Sequence, residues 1–154
     1  MNFLIGVFLF LANVGQQPPV EFDNVPLPVM KCLQRNGKTL QVSRRMNPFY
    51  LRGDFDGDGR MDFVVLVKDR KSEKEGFAFC LAARADAHIV GAGNPIAVEG
   101  GVPADNFADL DNWGVAESWS SKPKRDGVYV AKAEAGSAVL VWNGRKIIWQ
   151  QTSI

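Results

Sequence analysis

The residues best suited to chemistry lie in one short stretch, LRGDFDGDGRMDF, at positions 51–63. It carries four aspartates, Asp54, Asp56, Asp58 and Asp62. With Asp54 as position 1, these side chains occupy positions 1, 3, 5 and 9, and Arg60 at position 7 offers its backbone carbonyl. Alternating oxygen donors are typical of a calcium loop, because calcium takes about six to eight oxygens at roughly 2.3–2.6 Å.

Two glycines and the charge density support the same interpretation. Gly57 and Gly59 tolerate positive φ, which lets the chain curl until alternate carboxylates converge. Two unit charges about 5 Å apart repel by ~0.8 kcal/mol even in water, so four clustered carboxylates oppose closure of the loop unless a cation joins them. We therefore predict a structural calcium ion bound by the four aspartates and the carbonyl of Arg60. The alternative is a solvated Asx-turn that binds no ion.

Position 12 separates this loop from an EF-hand, since it is Val65 rather than Glu and the residues after it are typical of a strand. Over Gly53–Val67 the loop instead resembles the DxDGDGxxD calcium loop of FG-GAP and VCBS-type repeats. That resemblance implies a calcium site between two strands. Such repeats build propellers from several copies, and the single copy in this chain cannot close one. The whole chain resembles small bacterial exported proteins that end in a W-[ND]-G-[KR] hairpin, which implies no particular activity.

Length and composition indicate a single globular domain. The chain has 154 residues, of which 46% are hydrophobic and 23% charged, and its formal net charge is +1. A balanced charge gives no electrostatic reason to expect nucleic-acid binding. No segment beyond the N-terminus reaches the roughly 18 apolar residues of a membrane span.

The N-terminus predicts export. Residues 3–12 form an uncharged apolar run of the length of a signal-peptide core, which predicts a signal peptide over 1–15 and a mature domain over 16–154. The alternatives are a buried first strand or an uncleaved anchor. We expect a periplasmic or secreted protein with no membrane span in the mature chain. In such a compartment Cys32 and Cys80 are expected to form a disulfide, although two buried free thiols are the alternative.

The pattern of apolar residues predicts an α+β fold: a small, mainly antiparallel sheet with one N-terminal helix and a C-terminal hairpin. The helix is expected at 28–37, ending at Gly37. The predicted strands are 61–68, 77–84, 87–93 and 127–134. Residues 137–151 predict the hairpin, with Asn143-Gly144 as a type I′ turn. Residues 93–114 are expected to form a long loop with one helical turn near 106–110.

Four other sets of residues invite a functional interpretation. His88 is the single histidine and is expected to be packed or at the surface rather than catalytic. Trp142 and Trp149 are expected to pack in the core or across strands. Trp113 and Trp119 are expected to cover the core, with an exposed recognition patch as the alternative. A second acidic cluster lacks the glycines and the spacing of a calcium loop, and consists of Asp105, Asp109 and Asp111.

Two functions from different classes fit these residues. The first is a small exported, non-catalytic, calcium-binding module that binds an unknown protein or envelope component. The alternative is a hydrolase that acts on an envelope glycan through two carboxylates, Asp105 or Asp109 with Glu117. A cleft that holds two carboxylates outside the calcium loop would favour the enzyme.

Overall fold

The computed structural model describes residues 24–36 and 39–153. The predicted signal peptide and Gly37 lie outside these residues. The described chain forms one helix, α1 (Leu27–Asn36), and two antiparallel sheets. Its strands are β1 (Leu40–Val42), β2 (Tyr50–Gly53), β3 (Asp62–Asp69), β4 (Glu75–Cys80), β5 (His88–Gly91), β6 (Asn112–Ser121), β7 (Lys124–Lys132), β8 (Gly136–Trp142) and β9 (Ile147–Ser153). The predicted α+β class is confirmed.

Strand β3 is the centre of the first sheet. β4 pairs with one of its edges, and β5 pairs with β4. The other edge is shared: β2 pairs with the first half of β3, from Gly53↔Asp62 to Tyr50↔Val65, and β1 pairs with the second half. The β-branched run that predicted β3 is buried on both faces, as a central strand requires.

Alternation along β3 separates two hydrophobic layers. Phe63, Val65 and Val67 point to one face, where they pack in a cluster with helix residues Val29 and Leu33. The sheet therefore covers the apolar side of α1. The helix is short for its own stability in water, so this packing holds it in place.

The disulfide joins the same two elements. Cys32 of α1 and Cys80 at the end of β4 are bonded, with Cα atoms 5.9 Å apart. The predicted bridge is confirmed. On the chain-entropy model, closing a loop of this length contributes about 4 kcal/mol to stability.

The second sheet is a meander of β6, β7, β8 and β9, in that order. Its inner face packs on the opposite side of the first sheet, where Val64 and Leu66 of β3 share one cluster with Val128 and Leu140. Trp142 belongs to this buried core, and Trp149 packs against it, as expected from the sequence. The described domain therefore has three layers: helix, first sheet and second sheet. None of its helices is long and apolar enough to cross a membrane.

The structure corrects four details of the prediction. The strands form two sheets rather than one, and the unpredicted β6 begins inside the expected loop. Its signal is weak because its pairing with β7 is irregular between Ala116 and Ser120 and most of its residues are partly or fully exposed. No helical turn forms at 106–110, where the chain makes only a turn closed by the Leu110 N–H and the Phe107 carbonyl.

The fourth correction concerns the hairpin turn. The hairpin forms, but Asn143 does not adopt the positive φ of a type I′ turn. Its N–H instead donates to the carbonyl of Lys146, which places Gly144, at φ 99°, and Arg145 at the tip. The Asn143 side chain accepts hydrogen bonds from the N–H groups of Arg145 and Lys146, at 3.0 Å each, and so caps the turn it was expected to occupy.

Candidate functional site

The acidic loop is the connection between β2 and β3. Because Gly53 pairs with Asp62, the two ends of the loop are held next to each other by the ladder of the first sheet. The loop between them curls at Gly57 and Gly59, which have φ of 81° and 80°. A side chain at either position would be strained in that conformation, so the glycines act as the sequence predicted.

Three carboxylates converge inside this curl. Ligand oxygens of Asp54, Asp56 and Asp58 lie within 4.8 Å of one another. Asp54 accepts hydrogen bonds from the N–H groups of Gly57, at 2.8 Å, and Gly59, at 2.9 Å. The backbone of the loop is therefore wrapped around the side chain at position 1.

Asp56 and Asp58 each accept a hydrogen bond from the backbone N–H two residues further along the chain. Asp56 accepts from the Asp58 N–H at 3.1 Å, and Asp58 accepts from the Arg60 N–H at 2.8 Å. The Arg60 guanidinium also donates to Asp58, at 2.8 Å. The backbone hydrogen bond from Arg60 is the main cause that lowers the pKa of Asp58. The sequence predicted the carbonyl of Arg60 as a ligand and did not anticipate this ion pair.

Burial and like charges act on Asp56 in the opposite direction. Burial is the main cause that raises its pKa, and the charges of Asp58 and Asp54 raise it further. A divalent cation at the centre of the three carboxylates would remove this repulsion. The hard oxygen donors and the preformed curl fit a calcium-type ion.

Asp62 has a different environment from the other three aspartates. It is fully buried and lies outside the group of three. Its carboxylate accepts hydrogen bonds from the N–H groups of Phe55 at 2.9 Å, Asp56 at 3.3 Å and Ala82 at 2.7 Å. Burial nevertheless raises its pKa to about 6. Asp62 thus ties the start of the loop to the chain that follows β4, and its role as a ligand stays a prediction.

A fifth carboxylate, which sequence analysis missed, holds the loop from the second sheet. Asp126 of β7 accepts from the Asp54 N–H at 3.1 Å and from the Ser118 N–H at 2.8 Å. Its own N–H donates to the Asp54 carbonyl at 2.8 Å. A Cβ at Gly53 would stand 2.9 Å from the Asp126 carboxylate, so only glycine allows this approach. Asp54 and Asp126 are 72 residues apart in the sequence, so no local spacing pattern could predict this contact.

A cleft of about 780 Å³ opens beside the loop, between the two sheets. The loop and β2 form one side of it. The other side comes from the polar end of the β6–β7 hairpin. The charged residues that line it are Arg52, Asp54, Asp58, Glu117, Lys124, Arg125 and Asp126.

The second acidic cluster is dispersed in the structure. Asp105 pairs with Lys74, and Asp109 pairs with Lys132 at 2.7 Å. Asp111 accepts a hydrogen bond from the Ala133 N–H. Glu117 instead lines the cleft described above, whereas Asp105 and Asp109 do not. The carboxylate pairs suggested for a hydrolase are therefore not brought together in this cleft, and the activity itself stays a prediction.

The remaining candidate residues, His88, Trp113 and Trp119, contact neighbouring residues of the fold. His88 is half-buried against the ring of Trp142, with centroids 4.5 Å apart, and burial is the main cause that lowers its pKa. Trp113 is buried, and its indole N–H donates to the Pro48 carbonyl at 2.7 Å. Trp119 is 43% exposed, although its indole N–H donates to Gln150 at 2.6 Å.

One polar network was missed entirely. Glu75 of β4 is buried and pairs with Arg45 at 2.6 Å, while the Ser43 hydroxyl donates to its other oxygen at 3.0 Å. The same guanidinium donates to the carbonyls of Leu110, at 2.6 Å, and Phe107, at 3.1 Å. This pair thereby fastens the irregular chain before β6 to the first sheet.

Comparison of the chain with models of protein families, with curated proteins and with solved structures finds no match. The function is therefore argued from the geometry of the site.

Proposed function

We propose that this protein is a small exported, non-catalytic module, stabilised by calcium, that binds a protein or an envelope component. The observation that carries the calcium part is the convergence of Asp54, Asp56 and Asp58 within 4.8 Å. Their spacing and the glycines between them match the ligand order of known calcium loops. The further ligands proposed are Asp62 and the carbonyl of Arg60.

A stabilising role for calcium follows from where the loop is attached. One end continues into β3, the central buried strand, and Asp126 fixes the other end to the second sheet. A cation that orders this loop therefore stabilises contacts of both sheets. Neutralising three clustered carboxylates removes several repulsive pairs of about 1 kcal/mol each.

Two features support export to an oxidising compartment. The disulfide between Cys32 and Cys80 is of the kind that persists outside the cytosol. The apolar run at residues 3–12 has the length of a signal-peptide core. The hydrolase alternative has less support, because Asp105 and Asp109 are each paired with a lysine.

The calcium proposal is tested by thermal unfolding with calcium and with chelator at one ionic strength. Modules of this kind bind calcium at roughly 0.1–1 mM. At ten times the dissociation constant, linkage adds ~1.4 kcal/mol, so we expect the melting temperature to rise by about 3–6 °C. The Asp56→Ala protein should lose this response. Asp86→Ala, which removes an exposed carboxylate outside the loop, should keep it.

An unchanged melting temperature of the wild-type protein at millimolar calcium would overturn the proposal. A binding role for the whole module is tested separately, by capture of partners from an envelope extract with the wild-type protein. The hydrolase alternative would gain support if the purified protein cleaved an envelope glycan.

A further inference from the structure

The cleft beside the acidic loop is lined by charged side chains of both signs. We propose that it binds a ligand carrying a phosphate or carboxylate group, and that calcium in the acidic loop is required for this binding. The inference deepens the proposed function and rests on it. The residues proposed to bind the anion lie outside the loop itself, on β2 and β7.

The cations of the cleft lack carboxylate partners. Arg52 and Lys124 take part in none of the ion pairs formed within the described residues. Arg125 donates from its guanidinium to the carbonyl of Trp142, and its buried Nε has no acceptor in the described part of the chain. An arginine or lysine with no internal partner is suited to an external oxyanion.

Most anions of the cleft are engaged already. Both oxygens of Asp126 accept backbone N–H groups, as do both oxygens of Asp54. Asp58 is paired with Arg60. Glu117 forms no ion pair with a described residue. These contacts hold the walls of the cleft in place and leave Arg52, Lys124 and Glu117 as its charged groups without an ion-pair partner among the described residues.

Charge makes calcium a condition for anion binding. Three cationic and four anionic side chains line the cleft, a formal net charge of −1. The other charged side chains of the adjoining loop, Asp56, Arg60 and Asp62, bring the total to −2, and one calcium ion changes it to 0. An oxyanion therefore meets net repulsion without calcium and none with it.

The lining also indicates the ligand's chemistry. Among the described residues that line the cleft, Val115 is the one apolar side chain and none is aromatic. These residues offer no ring on which a sugar could stack, so they recognise a ligand by charge and hydrogen bonds. The volume lies within the usual range of small-molecule sites, roughly 300–1,000 Å³.

The test uses three related sugars that differ in one group: glucose, glucuronate and glucose 6-phosphate. Each is titrated into the isotope-labelled protein at fixed free calcium, and backbone amide shifts are followed by NMR. Glucuronate, glucose 6-phosphate or both should shift the amides of Arg52, Ser118 and Lys124, and the responding probe identifies the anionic group. Glucose should shift none of them, and with chelator the response should disappear.

Matched variants locate the binding charges. Arg52→Gln combined with Lys124→Gln should weaken anion binding about tenfold, and each single change about threefold, because each removes one charge-assisted contact. Their calcium affinity, measured by calorimetry, should not fall. Lys71→Gln, in the exposed turn between β3 and β4, should bind calcium and anion as the wild type does.

The outcomes separate the two proposals. If calcium binds but neither anion shifts the cleft amides, this inference is overturned and the calcium site stands. If calcium itself does not bind, both are overturned. Equal anion binding with chelator, or by the double variant, would overturn the assigned role of calcium or of the two cations, respectively.

Discussion

The acidic loop and the Glu75–Arg45 network place carboxylates in opposite surroundings. In the loop, three aspartates from five consecutive residues repel one another close to the surface. In the network, a single buried glutamate is matched by an arginine 30 residues away and by a serine hydroxyl. The first arrangement would be stabilised by an external cation, whereas the second is satisfied within the protein.

This difference explains what each region can do. A satisfied buried pair contributes to a unique structure, but its hydrogen-bonding groups are already occupied and cannot bind a ligand. A strained cluster of carboxylates is costly by itself and becomes favourable when an ion binds. We therefore propose that the loop is the part of the molecule that responds to a cation, whereas the network is part of its frame.

Among the variants that test this contrast between the loop and the network, Glu75→Ala is expected to have the largest effect on stability. Removing the carboxylate leaves the partly buried Arg45 guanidinium without its anion but with two carbonyl acceptors, which should lower the free energy of unfolding by about 2–4 kcal/mol. Urea unfolding measures this loss, which should be the same with calcium and with chelator. A loss below about 1 kcal/mol, the usual value of a surface pair, would show that the network is not part of the frame.

Asp126→Ala tests the link between the two sheets. It leaves the N–H groups of Asp54 and Ser118 without their acceptor, so we expect the protein to lose about 1–3 kcal/mol of stability. It should also weaken calcium binding, because the first ligand of the loop is no longer held. Asp126→Asn retains one carbonyl acceptor and should lie between the wild type and Asp126→Ala. Unaltered calcium affinity in Asp126→Ala would show that the loop is organised without the second sheet.

The smallest expected effect on stability comes from replacing Asp69, which lies at the far end of β3 from the acidic loop. Hydrogen bonds from the Ser72 N–H and hydroxyl, at 2.8 and 2.7 Å, are the main causes that lower its pKa to about 2. A lowered pKa means that the folded state favours the ionised form. Its contribution is therefore present above pH ~4 and is lost as the pH falls towards 2.

Asp69→Asn should lower stability slightly above pH ~4, where the ionised carboxylate contributes, and change it little near pH 2, so that this part of the acid dependence disappears. Chemical unfolding of both proteins between pH 2 and 5 measures the difference. Parallel pH profiles would contradict the capping role of Asp69. A solitary capped carboxylate of this kind contrasts with Asp56, whose neighbours raise its pKa.

The elements that were predicted correctly share a local cause. The helix, the buried strand β3 and the C-terminal hairpin follow from residue type and period within ten or so neighbours. The curl at Gly57 and Gly59 follows from spacing within the loop. β6 was missed because its mostly exposed, irregularly paired residues show no clean alternation.

The sequence alone determined the arrangement of Asp54, Asp56 and Asp58, because their contacts within the loop lie between residues 54 and 60 and depend on backbone conformations that glycine permits. It also determined which two cysteines were available to pair. Tertiary structure decided the rest of the site: that Asp62 is buried under three N–H groups, and that Asp126 reaches the loop from the second sheet. These contacts join residues up to 72 positions apart. Their geometry depends on how the two sheets pack, which no local pattern of residues encodes.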